Sequence, residues 1–61
     1  MTELLTIQQA ADALGRPVAT LYDWRLKGYG PKSAKIGGRV AYRRADLEAW
    51  IEAQFEAGAK A

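Results

Sequence analysis

Residues 16–44 read RPVATLYDWRLKGYGPKSAKIGGRVAYRR, and two breaks inside this stretch decide the fold. The first is Gly28-Tyr29-Gly30-Pro31, through which no helix continues. The second is Gly37-Gly38, set between two β-type runs, Ser33–Ile36 and Val40–Tyr42. A glycine pair between such runs is a hairpin signal. A short helix from about Pro17 to Lys27 therefore gives way to a two-stranded ribbon. Two registers are open for that ribbon. A two-residue loop sets Ile36 opposite Arg39. A three-residue loop sets Ile36 opposite Val40 and Ala34 opposite Tyr42, and it is preferred because it pairs apolar with apolar. The choice matters because a slip of one residue inverts the buried face.

Upstream, Thr6 and Gln9 have the spacing of a capping box, with Leu5 before them as an apolar staple. Ile7, Ala10, Ala11 and Leu14 then form one helical stripe, and Gly15 stops it. Pro17 suits the start of the next helix, where its missing N–H costs nothing. Leu21 and Trp24 share a face and are expected to pack on the first helix. Val18, Ala19, Tyr22 and Asp23 are expected largely off that face. Two short helices around Gly15-Arg16 read as a helix-turn-helix. Downstream, a last helix begins near Arg44. Leu47, Trp50, Ile51 and Phe55 form its apolar stripe, and Glu48, Glu52 and Glu56 recur on the other side. Residues 57–61 are expected as a frayed tail. The whole is one domain, 1–61, small α+β, with its core running from Leu4 to about Phe55.

Charge is segregated along this pattern. From Arg16 to Arg44 there are eight basic residues against one acid, Asp23, while both flanks are net acidic; the total of +2 conceals this. A basic middle on a helix and a hairpin is the footprint of a polyanion-binding surface. Both element types fit nucleic-acid grooves.

Composition narrows the alternatives. With no Cys and no His, disulfides, thiolate chemistry and the usual zinc sites are excluded, and no cofactor is expected. Enzymatic catalysis is not expected either: the chain has no Gly-rich phosphate loop opening a helix and little room to enclose a substrate. No apolar run reaches a membrane span, and the N-terminus lacks the layout of a signal peptide, so a cytoplasmic protein is expected.

Trp24 and Trp50 lie on apolar stripes and are read as core anchors rather than base-stacking platforms. Tyr22, two residues from Trp24, points elsewhere, and its phenol suits a phosphate. Arg16 must snorkel outward from the turn, toward the expected phosphate path. Asp23 is costly in a positive patch unless it accepts a hydrogen bond. Pairing with Arg16 or Lys27 is favoured over a cytosine amino group.

Several elements together carry a family resemblance. They are Leu4-Leu5-Thr6-Ile7, Ala10-Ala11, Leu14-Gly15, Thr20-Leu21-Tyr22-Asp23-Trp24-Arg25, Gly28-Tyr29-Gly30-Pro31, Lys35-Ile36-Gly37-Gly38-Arg39-Val40 and Tyr42-Arg43-Arg44-Ala45-Asp46-Leu47-Glu48-Ala49-Trp50. From about Leu4 to Gln54 the chain resembles the small excisionase/MerR-like winged helix-turn-helix proteins. The family includes phage and plasmid excisionases and AlpA-type regulators. The resemblance implies a winged helix-turn-helix: helix, helix, two-stranded wing, helix. It implies that the second helix enters the major groove, with Pro17, Val18, Ala19, Thr20, Tyr22 and Asp23 as contacts. Arg16, Arg25, Lys27, Arg43 and Arg44 are implied at the backbone, and Lys32, Lys35, Gly38 and Arg39 on the wing. Arg16 and Pro17 depart from the family pattern, which has an apolar residue and then Ser or Thr, so the second helix loses its polar cap. Val18 and Ala19 suit thymine methyls but make no bidentate bonds, so shape and phosphate contacts should dominate.

The function implied is an architectural accessory factor. It binds and bends duplex DNA at an attachment site, sets copies side by side in head-to-tail self-association, and assists an integrase in excision. An AlpA-type transcriptional regulator is the alternative within the class. A protein-interaction or antitoxin-like module is the alternative outside it.

Overall fold

A computed structural model describes residues 3–60 of the chain, with side chains to residue 58. In chain order the elements are β1 (Leu4–Thr6), α1 (Ile7–Leu14), α2 (Val18–Lys27), β2 (Ser33–Ile36), β3 (Arg39–Arg43) and α3 (Arg44–Lys60). This is a small α+β fold, consistent with a winged helix-turn-helix.

The capping box at the start of α1 forms as the spacing predicts. Gln9 N–H donates to Thr6 Oγ1 at 3.1 Å, and Thr6 N–H donates to Gln9 Oε1 at 2.9 Å. The helix closes in a Schellman motif, with Arg16 N–H reaching Ala11 O at 3.0 Å and Gly15 N–H reaching Asp12 O at 3.2 Å. The same motif ends α2, where Tyr29 N–H donates to Trp24 O at 2.9 Å. Pro17 sits one residue earlier than its expected helical position. It occupies the N-cap of α2, in extended conformation and with no side-chain cap bond. Past α2, Gly30 has φ +94°, and a Cβ there would lie 2.9 Å from Cε3 of Trp24. The chain therefore crosses the indole face only with glycine at this position.

The sheet holds a strand that the sequence reading did not anticipate. Its order is β1-β3-β2, all antiparallel, with Leu5 opposite Tyr42 and Ser33 opposite Tyr42 on the other side. The ribbon β2–β3 is thus an extension of a three-stranded sheet rather than a free two-stranded wing. Its register corrects the expected one. Ile36 pairs with Arg39, Lys35 with Val40 and Ala34 with Ala41, across a two-residue Gly37-Gly38 loop. Both glycines have positive φ, 59° and 83°. That is the type I′ geometry whose twist matches the strands, and it outweighs apolar matching. Matching had little to offer here, because Ile36 is not buried.

The core is Leu5, Ala10, Ala11, Leu21, Tyr42 and Leu47. Ala10 and Ala11 are fully buried and admit close approach of the other elements to α1. Ile7, Leu14, Val18, Trp24, Val40 and Ile51 pack around this centre. Val18 was expected off the packed face. It is half-buried because it lies three residues before Leu21 and so shares its stripe. Neither tryptophan, expected as a core anchor, is in the buried centre: both are half-buried, and only Trp24 packs against it. Trp24 and Trp50 have ring centroids 5.5 Å apart, and Tyr29 stands edge-on to both at 5.1 and 5.8 Å.

On α3 the apolar stripe is buried only at its start. Leu47 is in the core, Trp50 and Ile51 are half-buried, and Phe55 is 72% exposed. The core therefore ends near Ile51 rather than Phe55. Helical structure nonetheless persists to Lys60, through most of the segment expected to fray; Ala61 lies outside the described residues. Arg44 anchors the other end of α3. Its Nε donates to Glu3 Oε1 at 2.7 Å, and its backbone N–H reaches Glu3 O at 2.8 Å. The guanidinium holds the Glu3 carboxyl below the usual carboxylate range.

Candidate nucleic-acid interface

Helix α2 sorts its residues by face. Leu21 is buried, and Val18, Thr20, Trp24 and Arg25 are half-buried. Ala19, Tyr22, Asp23, Leu26 and Lys27 are exposed. Of the expected major-groove residues, Pro17, Ala19, Tyr22 and Asp23 thus face solvent, while Val18 and Thr20 are turned partly inward. Asp23 accepts from Lys27 Nζ at 2.9 Å, the intramolecular pairing favoured from the sequence. Leu26, 88% exposed, is a residue that sequence reasoning passed over. Its signal was spacing, since it lies seven positions after Ala19 and four after Tyr22 on the outward face.

The angle between α2 and the hairpin is pinned by a polar link. Arg25 Nε donates to Ser33 Oγ at 2.8 Å, part-buried, so one guanidinium joins the helix to β2. Ser33 is in turn paired across the sheet with Tyr42, whose phenol burial pushes up in pKa. Arg25 therefore holds a set position.

Beside this link, α2 and the hairpin enclose a notch of about 410 Å³. Tyr22 and Arg25 line it from α2; Lys35, Gly38, Arg39 and Val40 line it from the hairpin; Thr6, Ile7 and Gln8 close its third side. No acidic residue lines it. The expected helix contacts Tyr22 and Arg25 and the expected wing contacts Lys35, Gly38 and Arg39 are thus brought to one place. Thr6 and Gln8 were assigned no such role, because nothing in the sequence links the start of α1 to a hairpin tip thirty residues away.

The remaining cations lie elsewhere. Arg43 sits on the opposite face of the sheet, where Leu4, Ala34, Ile36 and Ala41 form a shallow groove with Lys32 at its edge. Its Nε donates to Asp46 Oδ2 at 2.6 Å. Arg44 is bound by Glu3 as described. Alternation explains Arg43: Tyr42 points into the core, so the next residue points away. Arg16 is exposed in the turn between α1 and α2.

Two helices joined by a tight turn, with a cationic hairpin beside the second, define an architecture that a family comparison identifies directly. A family model described as a helix-turn-helix domain matches residues 4–54. The chain belongs to this helix-turn-helix family. It is a DNA-binding helix-turn-helix protein. No curated protein matches the chain. The match spans β1 and most of α3, so the helix-turn-helix domain comprises the sheet and closing helix as well as the two helices of the motif. Among the described residues of this helix-turn-helix protein, no helix is long and apolar enough to cross a membrane, and no cluster of acidic side chains forms a metal site.

Proposed function

We propose that this helix-turn-helix protein is an architectural DNA-binding factor of the excisionase type. It seats α2 in the major groove, places the β2–β3 hairpin along the neighbouring backbone or minor groove, and bends an attachment site so that an integrase assembles for excision. The observation that carries this reading is the make-up of the exposed face of α2. Ala19 and Leu26 have no side-chain hydrogen bonds to give, and Asp23 is engaged by Lys27. Of these four, only Tyr22 brings an uncommitted polar group, and it lines a cationic notch suited to any backbone. Binding dominated by phosphates and by the cost of deforming DNA suits a factor that shapes a site. Arg16, Arg25, Lys32, Lys35 and Arg39 are its main backbone contacts. Arg43 and Arg44 contribute less, because each is held by a carboxylate. The exposed acids Glu48, Glu52 and Glu56 face the basic surface of an adjacent copy when copies bind head to tail.

Footprinting on DNA around the protein's own gene tests this. The expected result is a run of regularly spaced protected sites within an attachment region, with excisive recombination by the cognate integrase rising when the protein is added. Protection confined to a promoter, with recombination unchanged, identifies a transcriptional regulator of the AlpA type instead.

A further inference from the structure

The start of α1 has an unusual composition for a helix N-terminus. The first turn of a helix favours acids, which complement the partial positive charge of its free N–H groups. Here that turn is Ile7-Gln8-Gln9, with no acid. At Gln9 the amide completes the capping box, a role glutamate fills equally well. Gln8 lines the notch, whose other polar side chains include Arg25, Lys35 and Arg39. Its Nε2 donates to Asp12 Oδ1 at 3.0 Å, which orients the amide and leaves its second N–H unspent. A glutamate at position 8 would put a carboxylate into a cavity that holds three cations and no acid.

We propose that this notch seats a phosphodiester of one DNA strand, and that Gln8 donates to it alongside Arg25, Lys35, Arg39 and the Tyr22 hydroxyl. The inference rests on the DNA-binding reading above and extends it to the first helix, whose residues have been given no part in binding. The strand enters between α2 and the hairpin, so the two elements lie on either side of one backbone. Three cations lining one notch outnumber the two negative charges of a phosphodiester and its neighbour, so the notch favours an anion. Ile7 and Val40, also in the lining, offer apolar contact to the adjoining deoxyribose.

The test changes the charge at position 8 in both directions and compares it with the same changes at Gln54, an exposed glutamine on α3. Duplex affinity is measured for Gln8→Glu, Gln8→Lys, Gln54→Glu and Gln54→Lys at several salt concentrations, with melting temperatures as a check on folding. The expected result is a loss of about tenfold for Gln8→Glu, while Gln8→Lys, whose ammonium Asp12 would hold four residues on as Asp23 holds Lys27, should gain little. Both Gln54 variants should stay close to the parent. If the parent binds duplex with a steep salt dependence but position 8 moves affinity no more than position 54, the notch is not the phosphate seat and the DNA-binding reading stands. If the parent shows no salt-dependent binding to any duplex, both fall together.

Discussion

Leu21→Ala is expected to remove most of this molecule's stability. The side chain is fully buried where α2 meets α1 and the sheet, so its loss opens a cavity that three elements must collapse to fill. Such substitutions cost about 2–5 kcal/mol. At about 0.05–0.15 kcal/mol per residue, a chain of 61 residues holds about 3–9 kcal/mol in all. Little is available to offset the loss, since a domain this small buries a modest share of its surface, has no cysteine for a disulfide and, among the described residues, no side-chain cluster that could hold a metal. The comparison that makes the prediction sharp is Phe55→Ala. It deletes a larger side chain from the same kind of apolar stripe, yet Phe55 is mostly exposed, and the expected cost is within about 0.5 kcal/mol. Urea melts followed by circular dichroism should therefore rank the two variants against side-chain size. Equal losses, or a larger loss at Phe55, would mean that α3 buries its distal half and that the core is misplaced.

The second large effect is in binding. Eight cations lie between Arg16 and Arg44, and three of them, Lys27, Arg43 and Arg44, are bound to Asp23, Asp46 and Glu3. That leaves five for phosphates. With five neutralised, the slope of log affinity against log salt should be about −4.5, and affinity should fall about 500-fold between 50 and 200 mM. If all eight were engaged the slope would exceed about −7. The measured slope thus reports how many cations reach DNA and whether the carboxylates withhold the other three. A slope shallower than about −2 would contradict a backbone-dominated interface.

Much of this fold was legible before any coordinates. The capping box at Thr6 and Gln9, the stops at Gly15 and Gly28, and the Gly37-Gly38 turn are local signals. Each depends on residues within a few positions of one another. What escaped were long-range facts. Strand β1 has three residues, too few to show alternation, and its partner β3 lies more than thirty positions away. The hairpin register does not follow from apolar matching, because strands that bury little leave turn geometry to decide it. Phe55 fits a helical stripe perfectly well, but a stripe does not say where the body it packs on ends. At the site, the cationic residues were legible by type, and Asp23–Lys27 by its spacing of four. The ion pair Arg44–Glu3, the Arg25–Ser33 link and the place of Gln8 depend on how sheet and helices meet.

The central claim is that α2 and the hairpin tip grip duplex DNA together from one side of the molecule. Amide chemical shifts recorded while a short duplex is added test it most directly. The account predicts that signals from residues 18–25 and from Lys35 to Val40 move together with one saturation curve, joined by Ile7 and Gln8. Leu4, Ala34 and Ala41 on the far face of the sheet, and the distal turns of α3, should hold still. Shifts centred on that far face or on α3, with Gly37–Arg39 unmoved, would contradict it.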